Sequence, residues 1–143
     1  MTRQAIARRT SDGTTGAPCW ELIAGAKPCW VKELSITLAA ATASTFGLGR
    51  PAAIGVGPTT PVVLLGEAGG DANEAVASTA VAWGTSAPTI PAQFFRRIGL
   101  PATIGVGVTW TFPTGIHIPA GGTLIVWNLA ANAVVDISVV VEV

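Results

Sequence analysis

Residues 33–38 read Glu-Leu-Ser-Ile-Thr-Leu, so that an aliphatic residue alternates with a polar one. Side chains on a β-strand point alternately to opposite faces of the sheet. The stretch therefore predicts a strand that buries Leu34, Ile36 and Leu38 and turns Ser35 and Thr37 to the other side. Its period of two, rather than the 3.6 of a helix, indicates β structure with one buried face.

The sequence on either side of this stretch carries similar signals. Val, Ile and Thr are abundant and favour strands, while 17 Gly and 10 Pro mark turns and interrupt helices. The predicted strands are 21–24, 29–40, 43–48, 61–65, 74–83, 92–98, 103–112, 115–118, 123–130 and 134–143. Short strands at this spacing are typical of an all-β fold, here a two-sheet antiparallel β-sandwich that is jelly-roll-like.

The first 17 residues differ from the rest in composition. They are rich in Thr, Ser and Gly, and they carry Arg3, Arg8 and Arg9 against the single Asp12. Such a segment has too little apolar surface to fold alone. We expect residues 1–17 to form an extended arm whose arginines contact acidic partners, and residues 18–143 to form one sandwich domain that folds without it. The segment lacks the apolar stretch of a secretory signal, which predicts synthesis in the cytoplasm.

The chain is unusually poor in charge. Only 11% of its residues are charged, against about 25% in an ordinary soluble domain, and its net charge is zero. Both features favour association, so we expect a homo-oligomer, with a trimer as the favoured form.

Neither a membrane nor a nucleic acid is favoured as the partner of this charge-poor surface. The mean hydropathy of +0.56 would suit a membrane, but no apolar run reaches the roughly 18 residues of a spanning helix. The pI of about 6.5 gives no sign of nucleic-acid binding.

The residues that carry catalysis or bind metals are scarce. His117 is the single histidine, and no nucleophile and orienting acid accompany it in a recognisable pattern. Cys19 and Cys29 each stand in a Pro-Cys-Trp triplet, and a short hairpin could place them opposite one another. We expect two small buried thiols, because a reducing compartment disfavours a disulfide. Structural zinc is not expected, because two Cys and one His are too few ligands. The sequence predicts no catalytic residue, no cofactor and no metal.

An acidic segment and an internal repeat each leave two interpretations open. Glu67, Asp71 and Glu74 could bind calcium loosely, but their spacing is not that of an EF-hand, so a solvated loop is expected.

Residues 50–57, Arg-Pro-Ala-Ala-Ile-Gly-Val-Gly, return at 100–107 as Leu-Pro-Ala-Thr-Ile-Gly-Val-Gly. Equivalent edges of two Greek-key halves would explain the repeat, and so would coincidence. It lacks the spacing of a nucleotide-binding loop.

The aromatic residues suggest contacts with partner proteins. Phe94, Phe95, Arg96 and Arg97 are adjacent, and Arg and Phe are both enriched at protein interfaces. We interpret these four residues as partner contacts. The five tryptophans lie in five different segments, which favours core and interface anchors over a carbohydrate-binding platform: Trp20, Trp30, Trp83, Trp110 and Trp127.

A resemblance to a known group of proteins rests on three segments: 44–52 (Ser-Thr-Phe-Gly-Leu-Gly-Arg-Pro-Ala), 91–98 (Pro-Ala-Gln-Phe-Phe-Arg-Arg-Ile) and 126–131 (Val-Trp-Asn-Leu-Ala-Ala). The chain from about Glu33 to Val143 resembles small β-rich virion proteins of tailed phages, of the capsid-decoration (cement) or fibre type. The resemblance implies a non-enzymatic protein on the particle surface that binds the major capsid protein and copies of itself. It implies no catalytic residues. The rival functions are a fibre or spike domain that binds host-surface carbohydrate, and a hydrolase built around His117.

Overall fold

The structure is a computed structural model that describes residues 2–11, 14–68, 77–130 and 134–143. Within these ranges the chain forms thirteen strands and no helix. The strands are β1 (Arg3–Ser11), β2 (Pro18–Ala24), β3 (Cys29–Leu38), β4 (Ser44–Gly49), β5 (Val56–Pro58), β6 (Val62–Val63), β7 (Leu65–Gly66), β8 (Ala77–Ala80), β9 (Trp83–Ser86), β10 (Arg96–Leu100), β11 (Gly107–Ile118), β12 (Thr123–Ala130) and β13 (Val134–Glu142).

Two antiparallel sheets form a sandwich, which confirms the predicted all-β fold. Sheet A has the strand order β11-β3-β13-β1-β7, and sheet B has the order β10-β4-β12-β2-β8-β6. The eight longer strands pair in a nested way, because β1 pairs with β13, β2 with β12, β3 with β11 and β4 with β10. A separate two-stranded sheet, β5-β9, belongs to the long segment between β4 and β10.

The core lies between the two sheets. Leu34, Ile36 and Leu38 on β3 are at most 1% exposed, whereas Ser35 and Thr37 are partly exposed, so the predicted register of this strand is confirmed. Burying side chains of this size contributes about 1.5–3 kcal/mol each. Strand β13 alternates in the same way.

Residues 3–11 differ from the arm expected from the sequence. They form β1, which pairs along nine residues with β13 and at two positions with β7. Its inward positions are mostly polar. The Thr10 hydroxyl donates to the Cys19 carbonyl at 2.7 Å, and the Arg8 guanidinium donates to the Thr79 carbonyl at 2.9 Å. Because these side chains bond to the opposite sheet, β1 forms without the apolar alternation by which a strand is recognised in a sequence.

The two cysteines are buried thiols, as the sequence predicted, but they are not opposite one another in a hairpin. Cys19 lies on β2 in sheet B and Cys29 lies on β3 in sheet A. The Cys19 thiol lies 3.3 Å from the Val126 carbonyl oxygen. Burial raises the pKa of Cys29 to about 11, so this thiol stays protonated at neutral pH.

Several predicted strands have different bounds in the structure. The strands predicted at 103–112 and 115–118 form one strand, β11, whose pairing with β3 shifts register between Thr111 and Ile116. The strand predicted at 74–83 is represented by Ala77–Ala80, with residues 74–76 outside the described ranges. Val56–Pro58 was not predicted as a strand.

The repeated sequence segments follow two strands that pair with each other, β4 and β10. The repeat has an offset of 50 residues, and Gly47 and Arg97, which also differ by 50, are register partners. The copies themselves differ in conformation, because Gly57 and Gly105 have positive φ whereas their counterparts in the repeat, Gly107 and Gly55, do not. Ile54 and Ile104, at equivalent positions of the repeat, are 65% and 66% exposed.

Deletion of residues 2–11 tests whether β1 belongs to the folded domain. We expect a loss of several kcal/mol, comparable with the whole stability of an ordinary domain, because β13 would lose its pairing along nine positions. The measurement is urea unfolding followed by circular dichroism. Arg9→Ala, in the same strand but on its exposed face, serves as the control and should cost less than about 1 kcal/mol. If the truncated protein unfolds at the same urea concentration as the full chain, residues 1–17 form an arm outside the folded domain, as the sequence predicted.

Candidate interaction surface

The two sides of the sandwich are closed differently. On one side, residues 62–66 run from β6 in sheet B to β7 in sheet A, with Leu64 buried between them. On the other side, β10 and β11 are the terminal strands of their sheets, and arginine side chains bridge the gap between them. We call the residues of this bridge the arginine seam: Arg50, Phe95, Arg96, Phe112 and His117.

Arg96 forms the first half of the seam. It is the register partner of Leu48, a core residue, and so it lies on the inward face of β10. Its guanidinium carbon lies 5.2 Å from the centroid of the Phe112 ring on β11, and its Nη1 donates to the Phe95 carbonyl at 2.8 Å. Arg96 therefore covers an aromatic side chain at the edge of the core.

Arg50 forms the second half of the seam. It follows β4, and its guanidinium carbon lies 5.0 Å from the centroid of the Phe95 ring, which is 39% exposed. Its Nη2 donates to the His117 carbonyl at 2.8 Å, which links sheet B to sheet A. The exposed His117 ring packs against Trp30 with the ring centroids 5.1 Å apart.

Phe94 and Arg97 extend the surface onto the outer face of sheet B. A β-carbon added at Gly47 would lie 2.8 Å from Cδ1 of Phe94, so glycine is needed for this close approach. Phe94, Phe95, Gln93 and Arg50 line a shallow concave surface of about 270 Å³. Arg97 is exposed, and its side chain makes no hydrogen bond or ion pair with the described residues.

Three ion pairs lie elsewhere among the described residues. Arg3 lies 3.6 Å from Glu67, Arg9 lies 2.8 Å from Asp136, and Lys32 lies 3.4 Å from Glu142. The hydrogen bond from Arg9 lowers the pKa of Asp136 below the usual range. By contrast, Arg50, Arg96 and Arg97 form no ion pair with any carboxylate in the described part of the chain.

The structure separates the predicted contact residues into two groups. Phe94, Phe95, Arg96 and Arg97 lie together on the candidate surface. Arg3, Arg8 and Arg9 lie on β1, where each contacts another part of this chain. Sequence reasoning missed Arg50 and Phe112, because their contacts with Phe95 and Arg96 join segments far apart in the sequence.

The surroundings of His117 do not form a catalytic constellation. A concave surface of about 390 Å³ beside it is lined by Arg50, Pro51, Ile54, Pro119, Gly122 and Thr123. This described lining contains neither a serine nor a carboxylate, so the geometry lends no support to a hydrolase centred on His117.

The structure also shows where the tryptophans and the acidic segment singled out in the sequence lie. Trp20 and Trp127 are fully buried, and Trp110 packs against the core, which agrees with core anchors. Glu67 pairs with Arg3, while Asp71 and Glu74 lie outside the described residues. Within the described ranges, no three His, Cys, Asp or Glu side chains are grouped closely enough to hold a metal ion. Nor do these ranges contain a helix of the length and apolarity needed to cross a membrane.

Comparison with models of known protein families gave no match, and neither did a search of curated proteins.

Glu21 is a buried carboxyl that the sequence did not single out. It is 2% exposed on β2, and its Oε1 accepts a hydrogen bond from Nε1 of Trp83 at 3.0 Å. Its Oε2 is buried and has no hydrogen-bond partner in the described structure. Desolvation raises the pKa of Glu21, and the hydrogen bond from Trp83 opposes this effect only in part.

Removal of Arg96 tests the structural role of the seam. Arg96→Ala should lower the free energy of unfolding by about 1 kcal/mol, because it removes the cation–π contact and uncovers Phe112. Arg97→Ala is the matched control on the same strand and should change stability by less than about 0.5 kcal/mol. Urea unfolding of both variants makes the comparison. Equal effects would show that the seam does not stabilise the sandwich.

Glu21 makes stability depend on pH in a predictable direction. Its pKa is raised in the folded state, so its contribution is complete below the ordinary glutamate pKa and is lost as the pH rises through the raised value. Glu21→Gln keeps an acceptor for Trp83 but cannot ionise. We expect the melting temperature of the variant to rise relative to the wild type as the pH is increased from 4 to 8. If the difference in melting temperature between the two proteins stays constant over this pH range, the pKa of Glu21 is not raised by burial.

Proposed function

We propose that this chain is a non-enzymatic structural protein of a tailed-phage virion, a capsid-decoration protein that binds the major capsid protein and copies of itself as a trimer. It would be made in the host cytoplasm and would reside on the particle surface.

The observation that carries the proposal is an exposed apolar edge on a chain with few charges. Residues 62–66 form the edges of both sheets on one side, and Val62, Val63 and Leu65 are 41%, 40% and 61% exposed. Two apolar concave surfaces flank this edge, one beside Val63 and Ile23 and one beside Leu65 and Val140. Exposed apolar patches next to open strand edges are typical of surfaces that other subunits cover.

Further large apolar side chains are exposed elsewhere on the described surface: Ile54, Val56, Ile90, Phe95 and Ile104. Their positions give the chain more than one apolar contact region. A decoration protein needs at least two, one for its own copies and one for the shell beneath it.

The strand order gives support at the level of the fold. The nested pairing of eight strands in two sheets supports a jelly-roll arrangement, an architecture that viral capsid and lectin domains share. This is an analogy between folds, because one fold hosts many functions. The alternative, a fibre or spike domain that binds host-surface carbohydrate, needs an exposed aromatic platform. It receives less support, because Trp127 is fully buried and Trp110 packs against the core.

Sedimentation velocity of the purified protein tests the proposal at its self-association step. We expect a trimer at micromolar concentration, since a stable interface buries more than about 1,000 Å². Leu65→Lys should shift the protein to a monomer by placing a charge in the apolar edge. Ile104→Lys, at a residue of similar exposure in the 100–107 repeat, should remain a trimer. A wild-type protein that stays monomeric throughout this concentration range would contradict the proposal.

A further inference from the structure

We propose that the open edge of β10 binds an extended acidic segment of a partner protein, which adds to sheet B as a further strand and places carboxylates beside Arg97, the arginine of the outer face. The inference rests on the proposed function in that the partner would be a protein of the particle to which this chain attaches.

The edge of β10 can accept a strand. β10 is the last strand of sheet B, and it contains no proline among Arg96–Leu100, so every residue keeps its backbone N–H. The terminal strand of sheet A, β11, contains Pro113 and an irregular stretch between Thr111 and Ile116. Proline and bulges protect strand edges from pairing. Of the two edges on this side of the sandwich, β10 is therefore the one suited to strand addition.

The positive charges around β10 favour an acidic partner. Arg50, Arg96 and Arg97 have no carboxylate partner among the described residues, whereas Arg3, Arg9 and Lys32 each have one. A guanidinium carries five N–H donors, and the hydrogen bonds of Arg50 and Arg96 to backbone carbonyls each occupy one nitrogen. Carboxylates match the remaining donors in charge and geometry.

The same charges disfavour a second copy of this chain at this edge. Pairing of two β10 strands would bring two arginines of each copy into one interface without a carboxylate from either β10 strand, and an excess of like charge in an interface selects against that partner. The occupant that complements this surface is an acidic chain.

An apolar side chain of the segment also has a place to bind. The concave surface of about 270 Å³ beside the edge is lined by Phe94, Phe95, Gln93 and Arg50. Successive side chains of an added strand point to opposite faces. Arg97 and Phe94 lie on the outer face of sheet B, whereas Arg96 and Phe95 belong to the arginine seam. A segment that alternates acidic and apolar residues would therefore place carboxylates on the outer face beside Arg97 and apolar side chains on the side of the seam, beside Phe95.

Fluorescence anisotropy with the full chain and labelled eight-residue peptides tests the inference. The probes are an alternating Glu-Val peptide, the same peptide with N-methylated backbone amides on alternate residues, and an alternating Lys-Val peptide. We expect saturable binding of the Glu-Val peptide and binding weaker by about tenfold or more for the N-methylated peptide, which cannot complete the ladder. The Lys-Val peptide should not bind. Arg97→Glu should weaken binding of the Glu-Val peptide by about tenfold or more.

The controls distinguish failure of the decoration function from failure of this inference, and a peptide ligand from a nucleic acid. Arg9→Glu, which changes an arginine on β1 in sheet A, should leave peptide binding unchanged, and circular dichroism checks the fold of both variants. Equal binding of the N-methylated peptide would overturn strand addition. Tighter binding of a labelled single-stranded DNA, lost in Arg97→Glu, would overturn the choice of a protein partner. A monomeric protein that binds the Glu-Val peptide contradicts the decoration function alone, whereas a trimer that does not bind it contradicts this inference alone.

Discussion

The pairing of β1 with β13 is the constraint on which the rest of the sandwich depends. β13 lies between β3 and β1 in sheet A, and β1 also reaches sheet B through the bonds from Arg8 and Thr10 to the carbonyls of Thr79 and Cys19. Since the remaining long pairs are nested inside this one, most contacts join residues far apart in the sequence. Folds dominated by such contacts form slowly, because loop-closure entropy is lost before the contacts form.

This arrangement accounts for which parts of the fold could be predicted from the sequence. Leu34, Ile36 and Leu38 were predicted correctly because their burial alternates within a single strand. β1 was not, because its inward Gln4, Arg8 and Thr10 are polar. No local pattern distinguishes a polar residue that bonds to the opposite sheet from one exposed to water.

The candidate surface was predicted only in part, for a similar reason. Phe94 to Arg97 stood out because aromatic and basic residues are adjacent in the sequence. Arg50 belongs to the same surface through its contacts with Phe95 and His117, and nothing near Arg50 in the sequence indicates either partner. Glu21 was missed as well, since its burial and its bond to Trp83 depend on how the segment between β4 and β10 packs on sheet B.

The two sides of the sandwich have opposite chemistry, and this contrast is the physical basis for the proposal that the chain belongs to an assembly. One side presents Val62, Val63 and Leu65, and the other presents arginines on aromatic rings. Hydrogen–deuterium exchange of the purified chain across a range of concentrations tests most directly whether the apolar side is covered by further copies. We predict that amides in residues 62–66 become protected as the concentration rises, while amides of β10 exchange equally at every concentration. Exchange of residues 62–66 that does not depend on concentration would contradict coverage by further copies.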